Sequence, residues 1–226
     1  MSPKTLPPIG LFRRYWIPLI ILILGCTLSV WGWRMVHRQF QTNDWLRFER
    51  LNDRLINEIV ARFSITEEAV YAARGLFDAS GQVDRQEWKL FADSLDRFLN
   101  SNVVALAYVS RVPAVEVSAF VDLMRGQGEP NFSVSPGGEG DHRYLITYLA
   151  PDEGNLAALG ADMAMEPNRR EAAEEAMVSN RAVLTRRVDL LQDEGPRPGF
   201  LLFLPVYERG RPYATVEERR QNLRGW

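Results

Sequence analysis

The stretch ALGADMAMEPNRREAAEEA, residues 158–176, sets one carboxylate, Asp162, inside a run of apolar and small side chains just ahead of a helical segment. Such a carboxylate is costly to desolvate unless it is hydrogen-bonded. It either takes a donor from a bound ligand, or caps the Pro167 helix region and accepts bonds from nearby loop N–H groups. Other reactive groups lack the arrangement that catalysis needs. Asp141, His142 and Arg143 are adjacent on a Gly-rich loop and form no relay, and Ser133 and Ser135 have no elbow or triad context. Asp152 and Glu153 are a carboxylate pair, yet APDEGN reads as a solvated turn. PGGEG, residues 136–140, lacks the following Lys-Ser/Thr of a phosphate loop and reads as a surface hairpin. No catalytic site is expected.

Cys26 is the single cysteine, and the two histidines, His37 and His142, are far apart. The pattern supports no disulfide framework and no zinc or other metal site, and no cofactor is expected. Five of the 27 basic residues lie in residues 1–40, which hold no acid. The remaining 22 basic residues face all 29 acidic ones, a net −7, which argues against nucleic acid as a partner.

These groups must be positioned by a chain of mixed character. The uncharged run from Tyr15 to Trp33 has about the ~20 residues needed to cross a hydrocarbon core. Arg13 and Arg14 flank one end, Arg34 and Arg38 the other, with Trp16, Trp31 and Trp33 where an aromatic belt lies. The run is longer than a signal-peptide core, lacks a small-x-small cleavage site and shows no polar face. It reads as a membrane-spanning signal anchor over 15–36, with a cytoplasmic segment 1–14 and an exported remainder. From Trp45, Phe48, Leu51, Leu55, Ile59 and Phe63 step by three and four, so a helical stalk is expected over 37–80, packed on its own domain or on a second copy of itself. Asp84 and Glu87 form a capping box for a second helix with Trp88, Phe91, Leu95 and Phe98 on its apolar face.

Beyond residue 100 the period changes. VVALAYVS and YLITYLAP read as strands, and an amphipathic helix after Pro113 runs through Val117, Phe120, Val121 and Met124. A short strand is expected at 132–134, and NLAALGADM reads as a turn into another. Pro167 opens a helix, RAVLTRRVDLL and GFLLFLPVY are two more strands, and TVEERRQNLRGW is a helix with a Thr cap. The whole predicts an α+β fold with an antiparallel sheet.

The blocks ALAYVSRV, NLAALGADM, the Arg/Glu/Ala-rich helix, VLT, FLPVY and EERRQNLRG resemble, in order and spacing over residues 64–226, the CHASE domain. That is the extracytoplasmic sensory module of histidine kinases and nucleotide or diguanylate cyclases, plant cytokinin receptors among them. The resemblance implies two tandem PAS-like modules after the long helix, a distal one over about 81–190 that holds the ligand and a proximal one starting at about 191–226, within a sensor domain of 81–226. It also implies a last strand, a second membrane span and an output domain beyond Trp226. By position, Asp162 matches the aspartate that bonds the ligand's adenine-type ring, and Leu184 the leucine that gives backbone contacts. Ser179, Asn180 and Phe203 depart from the plant pattern; Phe203 stands in place of a threonine and narrows the pocket. Tyr108 and Tyr148 lie in strands that would line a PAS pocket, offering stacking faces with polar tips, or serve as plain core. The expected function is small-molecule sensing at the inner membrane by a homodimer facing the periplasm. The alternative is a protein-binding or dimerisation module with no small ligand.

Overall fold

The computed structural model describes residues 9–95, 103–135, 140–191 and 195–226, with side chains from residue 16 and excluding those of 36–47. Phe98, most of PGGEG, the segment 1–8, and the side chains of Arg13, Arg14, His37 and Arg38 lie outside that description. Helix α1, Ile9–Ala79, belongs to two compact units, Met1–Val60 and Ala61–Trp226.

In the first unit the helix carries its apolar side chains bare. Among the described residues, one helical segment is long and apolar enough to cross a membrane, Trp16–Met35, with mean hydropathy 1.8 and none of it buried. Leu51, Leu55 and Ile59 are each more than half exposed.

The second unit is an α+β body. Its part of α1 buries Ala69, Ala73 and Phe77, one residue per turn on a single face. Helix α2, Arg85–Leu95, starts at the expected capping box: Asp84 Oδ1 accepts the Glu87 N–H at 2.8 Å, and Glu87 Oε2 accepts the Asp84 N–H at 3.2 Å. Strand β1, Leu106–Pro113, leads through a 3₁₀ turn into α3, Val117–Gly126, which buries Met124. Strand β2, His142–Ala150, pairs antiparallel with β1 along its length.

Residues 132–134 form no strand, although Phe132 is buried. The segment after β2 forms two 3₁₀ turns, Leu156–Ala158 and Met163–Met165, in place of the expected strand, with a single bridge from Asp162 to Leu145. The reason is local: the Asp162 side chain takes the Ala164 N–H, which turns the chain instead of extending it. Helix α4, Pro167–Ser179, has proline in its first turn and is capped by the Glu166 carboxylate, which accepts from Asn168 and Arg169.

The two expected late strands are broken. The first becomes β3, Val183–Leu184, and β4, Val188–Leu190. The second becomes β5, Arg197–Gly199, β6, Leu202–Phe203, and β7, Val206–Tyr207, with Pro205, which has no N–H to donate, between the last two. β3 pairs with β6, and β4 with β5. Helix α5, Val216–Asn222, begins at the Thr215 cap, but its predicted continuation becomes β8, Leu223–Gly225.

The main sheet has the order β2-β1-β8-β7, with antiparallel neighbours. Residues 191–226, read from sequence as opening a second module, thus supply two strands to the sheet that β1 and β2 begin. Val109 and Trp226 exchange both backbone hydrogen bonds, at 2.8 and 2.9 Å, which brings β8 against β1. Gly225 is required there, since a Cβ would run into the Val109 carbonyl oxygen.

A bulge at Tyr108/Val109 decides which side chains share a face. Tyr108 pairs with Tyr148 and Val109 with Ile146, so Thr147 is the extra residue. Simple alternation would put Tyr144, Ile146, Tyr148 and Ala150 together. Instead Ile146 joins the core beneath α4, with Val109, Ala173, Ala176, Phe203 and Tyr207. Tyr148 and Ala150 join the core under α1 and α2, with Phe77, Trp88, Tyr108 and Met124.

Candidate functional site

Asp162 is held by the backbone around it. Gly160 adopts φ +77°, and a Cβ there would meet the Ser133 carbonyl, so only glycine fits where the chain passes residues 132–133. Gly160 N–H donates to Ile146 O at 2.9 Å and Ile146 N–H to Ala161 O at 3.1 Å, which seats Asp162 beside Tyr144 and Leu145. Asp162 Oδ1 accepts from the N–H groups of Tyr144 and Ala164, both at 3.0 Å. Its side chain is 1% exposed, and Oδ2 has no hydrogen-bond partner. The nearest cation is Arg143, its Nε 3.7 Å away, with Arg143 Nη1 held by Gly140 O at 2.9 Å. One carboxylate oxygen therefore organises the loop, and the other remains an acceptor.

The five site residues read from sequence divide between two places. Phe203 is buried in the α4-side core, which includes Asp162's neighbours Ala161 and Met163. Leu184 is 42% exposed on β3, one residue beyond the Val183 that pairs with Phe203. Tyr108 and Tyr148 lie on the other face as a direct cross-strand pair, with ring centroids 6.0 Å apart.

Tyr148 donates its hydroxyl proton to Val83 O at 3.1 Å, a core role that also explains its slot. Tyr108 stacks on Phe77 at 4.2 Å, and its hydroxyl, near Ser110, makes no aligned hydrogen bond. Burial pushes the Tyr108 phenol well above its ordinary value, offset in part by the nearby Arg224, so it stays protonated. Burial likewise raises Tyr148, Tyr144 and Tyr207.

Among the remaining reactive groups, Asp152 has a structural role. Asp152 pairs with Arg85 at 3.3 Å and Lys89 at 3.9 Å, and Arg85 also pairs with Glu129, tying α2 to two loops. Partial burial, then Arg111, lower the His142 pKa, against a raising effect of Asp141. Among the described residues no three His, Cys, Asp or Glu side chains are grouped to hold a metal ion.

Three features escaped the sequence reading. Trp226 donates its indole N–H to Ala173 O at 2.7 Å, fastening β8 to α4. Arg169 is buried in α4, where burial lowers its pKa; it donates to Asp189 O and lies 3.8 Å from Met163 Sδ. Arg74 of α1 lies over the stacked rings of Tyr207 and Tyr213, 5.4 and 5.3 Å from their centroids, and donates to Asn180 Oδ1 at 2.9 Å. The only signal for Arg74 was its place beside Ala73 on the buried side of α1; the others depend on long-range contacts that no local pattern encodes.

No curated protein matches the chain. The family model of the CHASE domain matches residues 81–226, well over half of its length. The sheet, helices α2 to α5 and the Asp162 turn all lie within that match, and the chain belongs to the CHASE-domain family, a sensory rather than catalytic module that is extracytoplasmic in its receptors.

Proposed function

We propose that this chain senses a small molecule outside the cytoplasm and reports it through α1. Residues 15–36 cross the inner membrane, 1–14 stay inside, 37–80 form the stalk, and 81–226 form a PAS-like ligand-binding region in the periplasm. The ligand site lies on the α4 side, where Asp162 accepts a ligand N–H, Phe203 supplies an apolar wall and the Leu184 backbone a further contact. The observation that carries this reading is the Oδ2 of a carboxylate that is 1% exposed: it has no hydrogen-bond partner, and its contact with Arg143 is an ion pair at 3.7 Å. A buried acceptor without a donor is unfavourable by about 1–3 kcal/mol, and a ligand that brings the donor recovers it with specificity. The stalk stripe is the seam of a homodimer, and ligand acts by binding one arrangement of α1 more tightly than the other.

The test is a thermal-shift screen of the full chain in lipid nanodiscs against purines, amino acids, organic acids and short peptides. Each compound is run on wild type and on Asp162→Asn. A true ligand raises the wild-type melting temperature by mass action and loses most of that effect in the variant. Stabilisers that act equally on both proteins would move the site away from Asp162. A screen with no stabiliser would favour a protein partner. A reporter active only outside the cytoplasm, fused after Trp226, gives signal in this orientation; a silent fusion reverses it.

A further inference from the structure

Between the sheet and the end of α1 lies a cavity of about 40 Å³, lined by Arg74, Phe77, Trp88, Tyr108 and Val206 among others. Asp162, Leu184, Phe203 and Tyr148 are not among its lining residues, so it is separate from the site proposed above. Two of its lining residues carry buried polar atoms without partners, Trp88 Nε1 and the Tyr108 hydroxyl. Both residues are more than nine-tenths buried, at 2% and 4% exposure, and their rings lie 6.4 Å apart. Trp88 offers only a donor, and Tyr108 a hydroxyl that can donate. Arg74, its side chain 11% exposed, is the cation among the lining residues, and Arg224 stacks on Phe77 at 5.7 Å. Among the described residues no lining residue is acidic, and Arg74 pairs with the half-exposed Asp78 at 3.9 Å. The two orphan groups therefore lack acceptors, and Arg74, already bonded to Asn180 Oδ1, adds positive charge to the lining.

A water needs roughly 10–15 Å³ of such space, so the cavity has room for about three waters, or for a compact anion of about four heavy atoms. Water would bring its own donors into a lining already rich in them. A carboxylate brings acceptors alone, and charge-assisted bonds from N–H and O–H donors are the stronger kind. We propose that this cavity is a binding site for a short carboxylate of the acetate class, held by the Trp88 N–H and Tyr108 O–H donors with Arg74 supplying positive charge. Its walls come from α1, α2 and the sheet. Occupancy therefore fixes the seating of α1 on the sheet, independently of the α4-side ligand.

The test uses the full chain in nanodiscs, with sodium acetate titrated against sodium chloride at matched ionic strength. Acetate is expected to raise the melting temperature saturably, by roughly 3–5 °C at ten times its dissociation constant. It is also expected to give saturation transfer from protein to the acetate methyl. Tyr108→Phe removes only an orphan hydroxyl, so it folds at least as stably as wild type without acetate; Trp88→Phe also gives up buried ring volume and melts lower. Both lose the acetate effect. Asp162→Asn keeps it. An acetate response in wild type no larger than that of chloride overturns the proposal. So does a response that persists in both Phe variants.

Discussion

On the α4 face of the sheet, the helix packs through small side chains: Ala172, Ala173 and Ala176 are almost fully buried against a core that includes Phe203, Tyr207 and Trp226. The Trp226 indole donates to Ala173 O, and Asp162 accepts from two backbone N–H groups. On the α1 face, rings carry the packing: Phe77, Trp88, Tyr108 and Tyr148 form one aromatic cluster, and two of its three polar-capable members, Trp88 and Tyr108, keep an unpartnered polar atom and line a cavity. Small side chains let a helix backbone come close and leave little to rearrange. Large rings fill space by shape and leave gaps where shape fails. The α4 face thus fixes a backbone turn around a carboxylate, and the α1 face seats a helix on rings beside a cavity.

The largest contrast is expected in alkali. Tyr108 has a folded pKa raised by burial above its ordinary value of 10.0. The unfolded chain therefore ionises first, and the stability that protonated Tyr108 provides is complete below pH 10.0 and lost as pH rises through the folded value. Tyr207, on the α4 face, is raised in the same direction but sits nearer Arg219 and Arg74, which favour its ionised form. Alkaline unfolding followed by near-UV circular dichroism should start above pH 10.0. Tyr108→Phe should move the midpoint upward, and by more than Tyr207→Phe. Equal midpoints for the two variants would remove this distinction between the faces.

Truncating the ring that joins α1 to the sheet comes next. Phe77 is 2% exposed and stacks on Tyr108, so Phe77→Ala should destabilise by about 3–5 kcal/mol in urea unfolding. A loss below about 1 kcal/mol would mean that the helix end closes over the gap and that the ring is not what seats it.

Asp162 gives the α4-face counterpart. Asp162→Ala strips the acceptor from two N–H groups and should cost about 2 kcal/mol, while Asp162→Asn retains an acceptor oxygen and should cost about half of that. If Asn were as damaging as Ala, the charge paired with Arg143, rather than the two N–H bonds, would be what holds the turn.

The helices and the β1–β2 ladder were legible because their signals are local: a capping box at Asp84 and Glu87, proline at the start of α4, and alternating apolar runs. Three things were not. The bulge that swings Tyr148 onto the face of Tyr108 costs a single residue of register, and nothing in YLITYLA marks it. The strand read through Asp162 was lost to a side chain that bonds its own following backbone. The end of TVEERRQNLRGW has helical composition, yet pairing between Trp226 and Val109, with Gly225 permitting the approach, makes it a strand. Of the site, Asp162 stood out because a carboxylate among small residues is anomalous in sequence. The cavity beneath α1 did not, because its donors come from residues that read as ordinary aromatic core.

The smallest effect bears on whether the two faces are independent at all. Asn180 ends α4 in the left-handed region, at φ 53°, while its Oδ1 accepts from Arg74 of α1. Asn180→Gly keeps that conformation and loses only the bond, so it should cost about 0.5 kcal/mol; Asn180→Ala loses both and should cost about 1.5 kcal/mol. A double-mutant cycle pairing Arg74→Gln with Asn180→Gly isolates the link itself, and a coupling of about 0.5–1 kcal/mol is expected. Arg74 also rests on Tyr207 and Tyr213, so its own truncation will cost more than the coupling, and only the cycle separates the two. A coupling near zero would make the faces thermodynamically separate, and a ligand at Asp162 would then have to reach α1 by a route other than the end of α4.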